Sequence, residues 1–101
     1  LFGFLVGSAS ESDTVLPSDT LIGAEKVEFS TERVEVTSGG AIVIDNGDLA
    51  RHTFTVEDTD ISVNVPAKRL RRAVIDLPAG EYRFYCEVPG HERMEGTLVV
   101  E

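Results

Sequence analysis

Four side chains in this sequence carry chemistry that the others do not: His52, Cys86, His91 and Met94. The chain holds one Cys, one Met and two His, so these four are its whole supply of sulfur and imidazole donors. Singly, each has an ordinary explanation. A lone Cys is usually a small buried hydrophobe, a lone Met fills a core gap, and a lone His is a satisfied polar group. Together they form a ligand set. Cys86, His91 and Met94 fall within nine residues, and Val88-Pro89-Gly90 between them turns the chain so that they can point at one place. Two imidazoles and a thiolate, with a weak thioether beside them, suit copper. The sulfur donors favour Cu(I), and imidazole serves both oxidation states. Zinc accepts the same donors. The solitary Cys excludes an internal disulfide and any multi-Cys zinc or iron–sulfur site.

These residues need a scaffold that brings His52 to the Cys86–Met94 segment, and the sequence predicts one. From Leu21 onward, short apolar or alternating runs are separated by turn signals. Ala41–Ile44 is a continuous apolar run suited to a central strand, and Asp45-Asn46-Gly47-Asp48 follows it as a strong turn signal. His52–Val56, Ile61–Val65 and Tyr82–Cys86 alternate, Arg72–Leu77 is a further run, and Gly96–Val100 closes the chain. No window keeps a helical period; one helical turn is expected around Glu92–Glu95. The reading is all-β: a Greek-key antiparallel β-sandwich of seven to eight strands. Ile42, Ile44, Phe54, Val63, Val65, Ile75, Phe84, Leu98 and Val100 are expected to face inward. In such a sandwich an early strand starting at His52 can lie beside the last hairpin at one pole.

With 101 residues the chain is one domain's worth of sequence. Against 9 Lys+Arg stand 18 Asp+Glu, a formal net charge of −9, which argues against nucleic-acid binding. No apolar run approaches the ~20 residues that span a bilayer. The acidity is uneven. Residues 1–65 hold 3 basic and 12 acidic residues, and residues 66–101 hold 6 of each, including the basic cluster Lys68-Arg69-Leu70-Arg71-Arg72. This is either solvated surface or a dipole that orients the molecule towards a charged partner. Residues 1–19 read as an N-terminal arm, a signal or anchor remnant, or a linker, and residues 20–101 as the domain. The apolar opening Leu1–Val6, followed by small residues, fits the end of a signal-peptide core, the outer end of a membrane anchor continuing before residue 1, or an ordered arm.

The segment Tyr82–Val100, reading Tyr-Arg-Phe-Tyr-Cys-Glu-Val-Pro-Gly-His-Glu-Arg-Met-Glu-Gly-Thr-Leu-Val-Val, resembles the copper loop of the cupredoxins, the blue (type 1) copper proteins. Asn46–Phe54 resembles their first-histidine strand, Leu77–Tyr82 the turn before the Cys strand, and Ile22–Gly39 their opening hairpin. Four residues between Cys86 and His91 are similar to azurins, and two between His91 and Met94 to amicyanins. The resemblance implies one copper per chain, held by His52, Cys86, His91 and Met94, and a non-enzymatic electron carrier outside the cytoplasm. It implies transient redox partners and a monomer. It further implies that the Thr53 N–H points at the Cys86 sulfur while its hydroxyl ties the two ligand loops together, that Val88 adds a second N–H to that sulfur, and that Asn46 supports the site. His91 would then be the exposed ligand, reaching solvent through a docking patch of Val88, Pro89, Gly90 and His91 itself.

Other functions stay in view. A copper domain excised from a multicopper oxidase, nitrite reductase or respiratory complex would share this loop, although nothing in the chain supplies further copper sites, and a dinuclear centre needs a second Cys. Copper storage or delivery usually relies on several Met or His ligands. A sandwich that only binds partners would have no need for all four donors.

Overall fold

The structure is a computed structural model that describes residues 11–12 and 15–101. The readings of Leu1–Ser10 as signal, anchor or arm lie outside the described residues. Ten strands are found among those described: β1 (Glu11–Ser12), β2 (Thr20–Glu25), β3 (Glu28–Phe29), β4 (Arg33–Val36), β5 (Ala41–Asn46), β6 (His52–Val56), β7 (Ser62–Val65), β8 (Leu70–Val74), β9 (Gly80–Tyr85) and β10 (Glu95–Val100). They form two five-stranded sheets, ordered β1-β8-β5-β2-β3 and β4-β10-β9-β6-β7. The all-β sandwich agrees with the sequence reading. The pairing is mixed and not purely antiparallel, because β2 runs parallel to β5 and β4 parallel to β10. Alternation tells which face of a strand is buried; it does not tell the direction of its neighbour. β1 lies before residue 20 and pairs with β8 through Glu11↔Ala73 and Ser12↔Arg72.

The core is where the sequence pattern puts it. All nine residues expected to face inward are buried. β4 and β7 alternate strictly between exposed and buried, whereas every residue of β6 is buried. Phe54 and Phe84 stack between the sheets with centroids 4.8 Å apart, and Phe29 meets Phe84 edge-on at 5.2 Å. Offset and edge-on packing suits the ring quadrupoles. Gly96 is required beneath this cluster: a Cβ there would lie 2.6 Å from the Phe84 ring and 2.6 Å from the Glu32 carbonyl.

Leu21–Phe29, rich in apolar residues, folds back as the β2–β3 hairpin, with Glu25 paired to Glu28 across a Lys26–Val27 turn. Both turn residues have positive φ, 56° and 57°, the requirement of a two-residue hairpin turn twisted to match its strands. The helical turn expected around Glu92–Glu95 is replaced by a single hydrogen-bonded turn, Met94 N–H to His91 carbonyl at 3.0 Å, and β10 already begins at Glu95.

Candidate metal centre

His52, Cys86 and His91 converge at one pole, with their donor atoms within 4.8 Å of one another. His52 opens β6, and Cys86 directly follows β9, its neighbour in the same sheet. His91 and Met94 lie on the β9–β10 connection. That connection is built from two turns. The His91 N–H donates to the Val88 carbonyl at 3.0 Å, the Met94 N–H donates to the His91 carbonyl, and the Cys86 N–H closes the loop onto the Met94 carbonyl at 3.0 Å. Gly90 takes φ 89°, which a glycine adopts without strain.

Three distances define the site. His52 Nδ1 lies 3.1 Å from His91 Nδ1, Cys86 Sγ lies 3.6 Å from His91 Nδ1, and Cys86 Sγ lies 3.9 Å from His52 Nδ1. A borderline transition-metal ion bonds imidazole nitrogen at about 2.0–2.1 Å and thiolate sulfur at about 2.3 Å. Opened to roughly 100–125° around such an ion, these bonds give N–N edges of about 3.1–3.6 Å and N–S edges of about 3.3–3.9 Å. The triangle has these dimensions. His52 is fully buried, Cys86 is 5% exposed and His91 is half-buried. Met94 is fully buried and packs in the hydrophobic core, tied by its backbone to both Cys86 and His91.

The supporting residues are placed as follows. The Thr53 N–H donates to Cys86 Sγ at 3.3 Å. The Thr53 hydroxyl accepts the Glu87 N–H at 2.9 Å, which ties the His52 strand to the Cys86 loop. Glu87 then returns through Ser62 and Thr55 to Thr53, so the hydroxyls close a ring. The expected second N–H on sulfur, from Val88, is not found among the hydrogen bonds of the described residues; the Val88 carbonyl accepts the His91 N–H. Asn46 is buried and holds the β5–β6 loop closed. Its amide donates to the carbonyls of Ala50, Val65 and Pro66, and its Oδ1 accepts the Asp48 N–H at 2.8 Å. Of the patch residues, Pro89 and Gly90 are exposed, while Val88 and His91 are half-buried.

Sequence reasoning missed one residue here. Asp48 places Oδ2 2.7 Å from His52 Nε2. Burial opposes its charge, but the Val27 N–H, the His52 ring and the Lys26 N–H outweigh that and hold its carboxyl down to about 2. An acidic residue four before a histidine was the only available signal. Leu49, on the same loop, is 86% exposed.

The family model for the cupredoxin-like domain matches residues 2–100. No curated protein matches the chain. Among solved structures, amicyanin from Paracoccus versutus (Thiobacillus versutus) is similar at TM-score 0.68 and 22% identity, covering 86% of this chain and 85% of that one. The reduced Cu(I) form at pH 4 of a proline-to-glycine mutant of amicyanin is similar at TM-score 0.73 and 17% identity, covering 94% and 98%. A methionine-to-alanine mutant of amicyanin with Cu(I) gives 0.73 and 16%, with the same coverage. These likenesses establish the fold. The sequence match over nearly the whole chain establishes the family: this chain belongs to the cupredoxin-like domains.

Proposed function

We propose that this chain is a mononuclear copper electron carrier, with His52 Nδ1, Cys86 Sγ and His91 Nδ1 as the main ligands and the Met94 thioether as a weaker fourth. The observation that carries this is the triangle of donor atoms with edges of 3.1, 3.6 and 3.9 Å. The copper would supply one-electron exchange between Cu(II) and Cu(I). The chain's part is to hold the donors still. His52 is locked in the core, the Thr53 N–H stabilises the thiolate, and the hydroxyl ring fixes Thr53 itself. A geometry between the preferences of the two oxidation states would leave little to rearrange when an electron arrives.

The half-buried His91 is the proposed exit, and Val88, Pro89 and Gly90 are a small apolar docking face beside it. Transient redox contacts are small and weak, so partners part quickly. Leu49 on the β5–β6 loop is a second exposed apolar side chain that a partner could meet. The partners are redox proteins, the site of action is outside the cytoplasm, and the working form is a monomer.

Adding Cu(II) to metal-free protein should give an intense blue colour and an EPR spectrum with unusually small copper hyperfine splitting. Cys86→Ser should lose both. A colourless copper complex, or a blue one that survives Cys86→Ser, would rule the reading out. Met94→Leu should keep the colour and raise the reduction potential; an unchanged potential would remove Met94 from the ligand set.

A further inference from the structure

The cations of this chain fall into two groups. Arg33, Arg72, Arg83 and Arg93 each have a carboxylate within 3.8 Å. Lys26, Arg51, Lys68 and Arg69 are exposed and have none among the described residues. These four are scattered through the sequence, yet they gather around one loop, 47–51 between β5 and β6. The Lys26 N–H donates to Asp48 Oδ1 at 2.7 Å. The Lys68 N–H donates to the Asp48 carbonyl at 3.1 Å, and its ammonium donates to the Gly47 carbonyl. The Arg69 carbonyl accepts the Asn46 N–H at 2.9 Å. Arg51 is on the loop itself and donates to Asn64 Oδ1 at 2.9 Å. Leu49, between them on the loop, is the most exposed large apolar side chain among the described residues.

Two of these cations are built into the backbone. Lys26 and Lys68 stand at φ 56° and 58°, a conformation uncommon for lysine. It persists where the surroundings over-determine it, and here the β5–β6 loop accepts the N–H of both. The nearby carboxylates do not cancel the charge. Asp48 is turned onto His52, Lys26 and Val27, and Glu28 is taken by Arg93 at 2.7 Å. Glu25 and Asp45 are exposed. With Glu25, Asp45 and Asp48 set against the four cations, the loop region carries +1, while the rest of the chain carries −10. We propose that the face of the β5–β6 loop is a steering rim for an acidic partner protein: the four unpaired cations draw in the partner's carboxylates, and Leu49 makes the apolar contact among them. The rim stands one imidazole from the donor triangle, because Asp48 Oδ2 meets His52 Nε2 at 2.7 Å and His52 Nδ1 is a corner of that triangle. A partner drawn there arrives at the pole that carries the donors. That consequence rests on the electron-carrier reading above; the preference for an acidic partner does not. The Debye length is about 8 Å at physiological salt, so a compact acidic patch responds to these local cations. A flat anionic bilayer would also face the acidic remainder of the molecule, so the charge pattern favours a protein.

The test has two arms. In the first, an acidic peptide of glutamates flanking a central phenylalanine is titrated into nitrogen-15-labelled, metal-free protein at low salt. Amide shifts should centre on Lys26, on loop 47–51 and on Lys68 and Arg69. Lys26→Gln with Arg69→Gln should weaken binding about five- to tenfold, and added salt should weaken it as well. Arg33→Gln with Arg83→Gln makes the same change in net charge at ion-paired positions and should weaken binding by no more than about twofold. In the second arm, on copper-loaded protein, Lys26→Gln with Arg69→Gln should slow electron exchange with the anionic hexacyanoferrate couple about fivefold, and should not slow exchange with a cationic cobalt–phenanthroline couple. A peptide that does not bind, shifts that centre elsewhere, or equal losses from the two double variants would overturn the proposal. So would tighter binding to phosphatidylserine vesicles than to the peptide, which would assign the face to a membrane. A copper complex that exchanges no electrons, in a chain whose loop still binds the peptide, would remove the electron-carrier reading and leave the rim standing.

Discussion

The two sheets contribute to the site in different ways. The sheet β4-β10-β9-β6-β7 supplies the donors: His52 opens β6, Cys86 follows β9, and His91 and Met94 lie on the β9–β10 loop. The sheet β1-β8-β5-β2-β3 supplies no donor. Its loops supply anchors instead: Asn46 and Asp48 from the end of β5 onward, and the Lys26–Val27 turn after β2. Placing the donors on neighbouring strands of one sheet lets a single register set their spacing. Placing the anchors on the other sheet makes the orientation of His52 depend on how the two sheets pack. Within the donor sheet the histidines also differ, because His52 is sealed in the core and anchored at Nε2, while His91 reaches the surface on a short loop.

The sharpest way to break this comparison is to remove each imidazole in turn. His52→Gly leaves a buried hole and strips the Asp48 carboxylate of one of its three donors. We expect a loss of roughly 2–4 kcal/mol in the metal-free protein, from the cavity and the unmet hydrogen bond together. Added imidazole should not restore the blue colour, because the hole is closed to solvent. His91→Gly opens a surface position and should cost about 1 kcal/mol or less, with colour restored by added imidazole. Chemical denaturation and optical titration read both effects. Equal stability losses, or equal rescue, would mean that the two histidines are not anchored differently.

How much of this was legible in the sequence follows the same division. Cys86, His91 and Met94 could be grouped because they lie within nine residues of chain. His52 could be added because alternation in His52–Val56 marks a buried strand. The inward residues were legible for the same reason, a period of two with one face buried. The anchors were not. Asp48 bonds a turn more than twenty residues earlier, and that turn is written Lys-Val, with no glycine or asparagine to announce two left-handed residues. Its conformation comes from the tertiary partner and from Val27 packing on the core, which local propensity does not register. The resemblance implies two N–H groups on the sulfur, and the structure shows one, from Thr53.

A smaller effect should separate the two loops at the surface. If electrons leave beside His91, a charge placed on the donor loop matters more than one on the anchor loop. Val88→Asp should slow exchange with a redox partner by about tenfold, by adding a desolvation cost at the centre of a small contact. Leu49→Asp, at a side chain that is 86% exposed, should slow it less. Stopped-flow reduction by a partner protein reads both. The reverse order would move the docking centre onto the β5–β6 loop, and no effect from either would place the exit elsewhere.

The smallest effect is expected on β8, which lies between β1 and β5 in the anchor sheet. Arg72 on β8 binds Asp19 through two bonds, Nε to Oδ2 at 2.7 Å and a second guanidinium nitrogen to Oδ1 at 3.2 Å. The Arg72 hydrogen bond, and then the Leu16 N–H, hold the Asp19 carboxyl below its ordinary value of 3.8. A carboxyl whose value is lower in the folded chain than in the unfolded one stabilises the fold wherever both forms are ionised. That contribution is complete above the unfolded value and is lost as pH falls through the folded one. Asp19→Asn should therefore lower the melting midpoint slightly at neutral pH, and the difference from wild type should shrink as pH drops below 3.8. The copper site should not register the change, with colour and potential the same in both proteins. A potential that moved with Asp19→Asn would show that β8 reaches the site through β5, and that the anchor sheet responds as one body and not through the Asp48 loop alone.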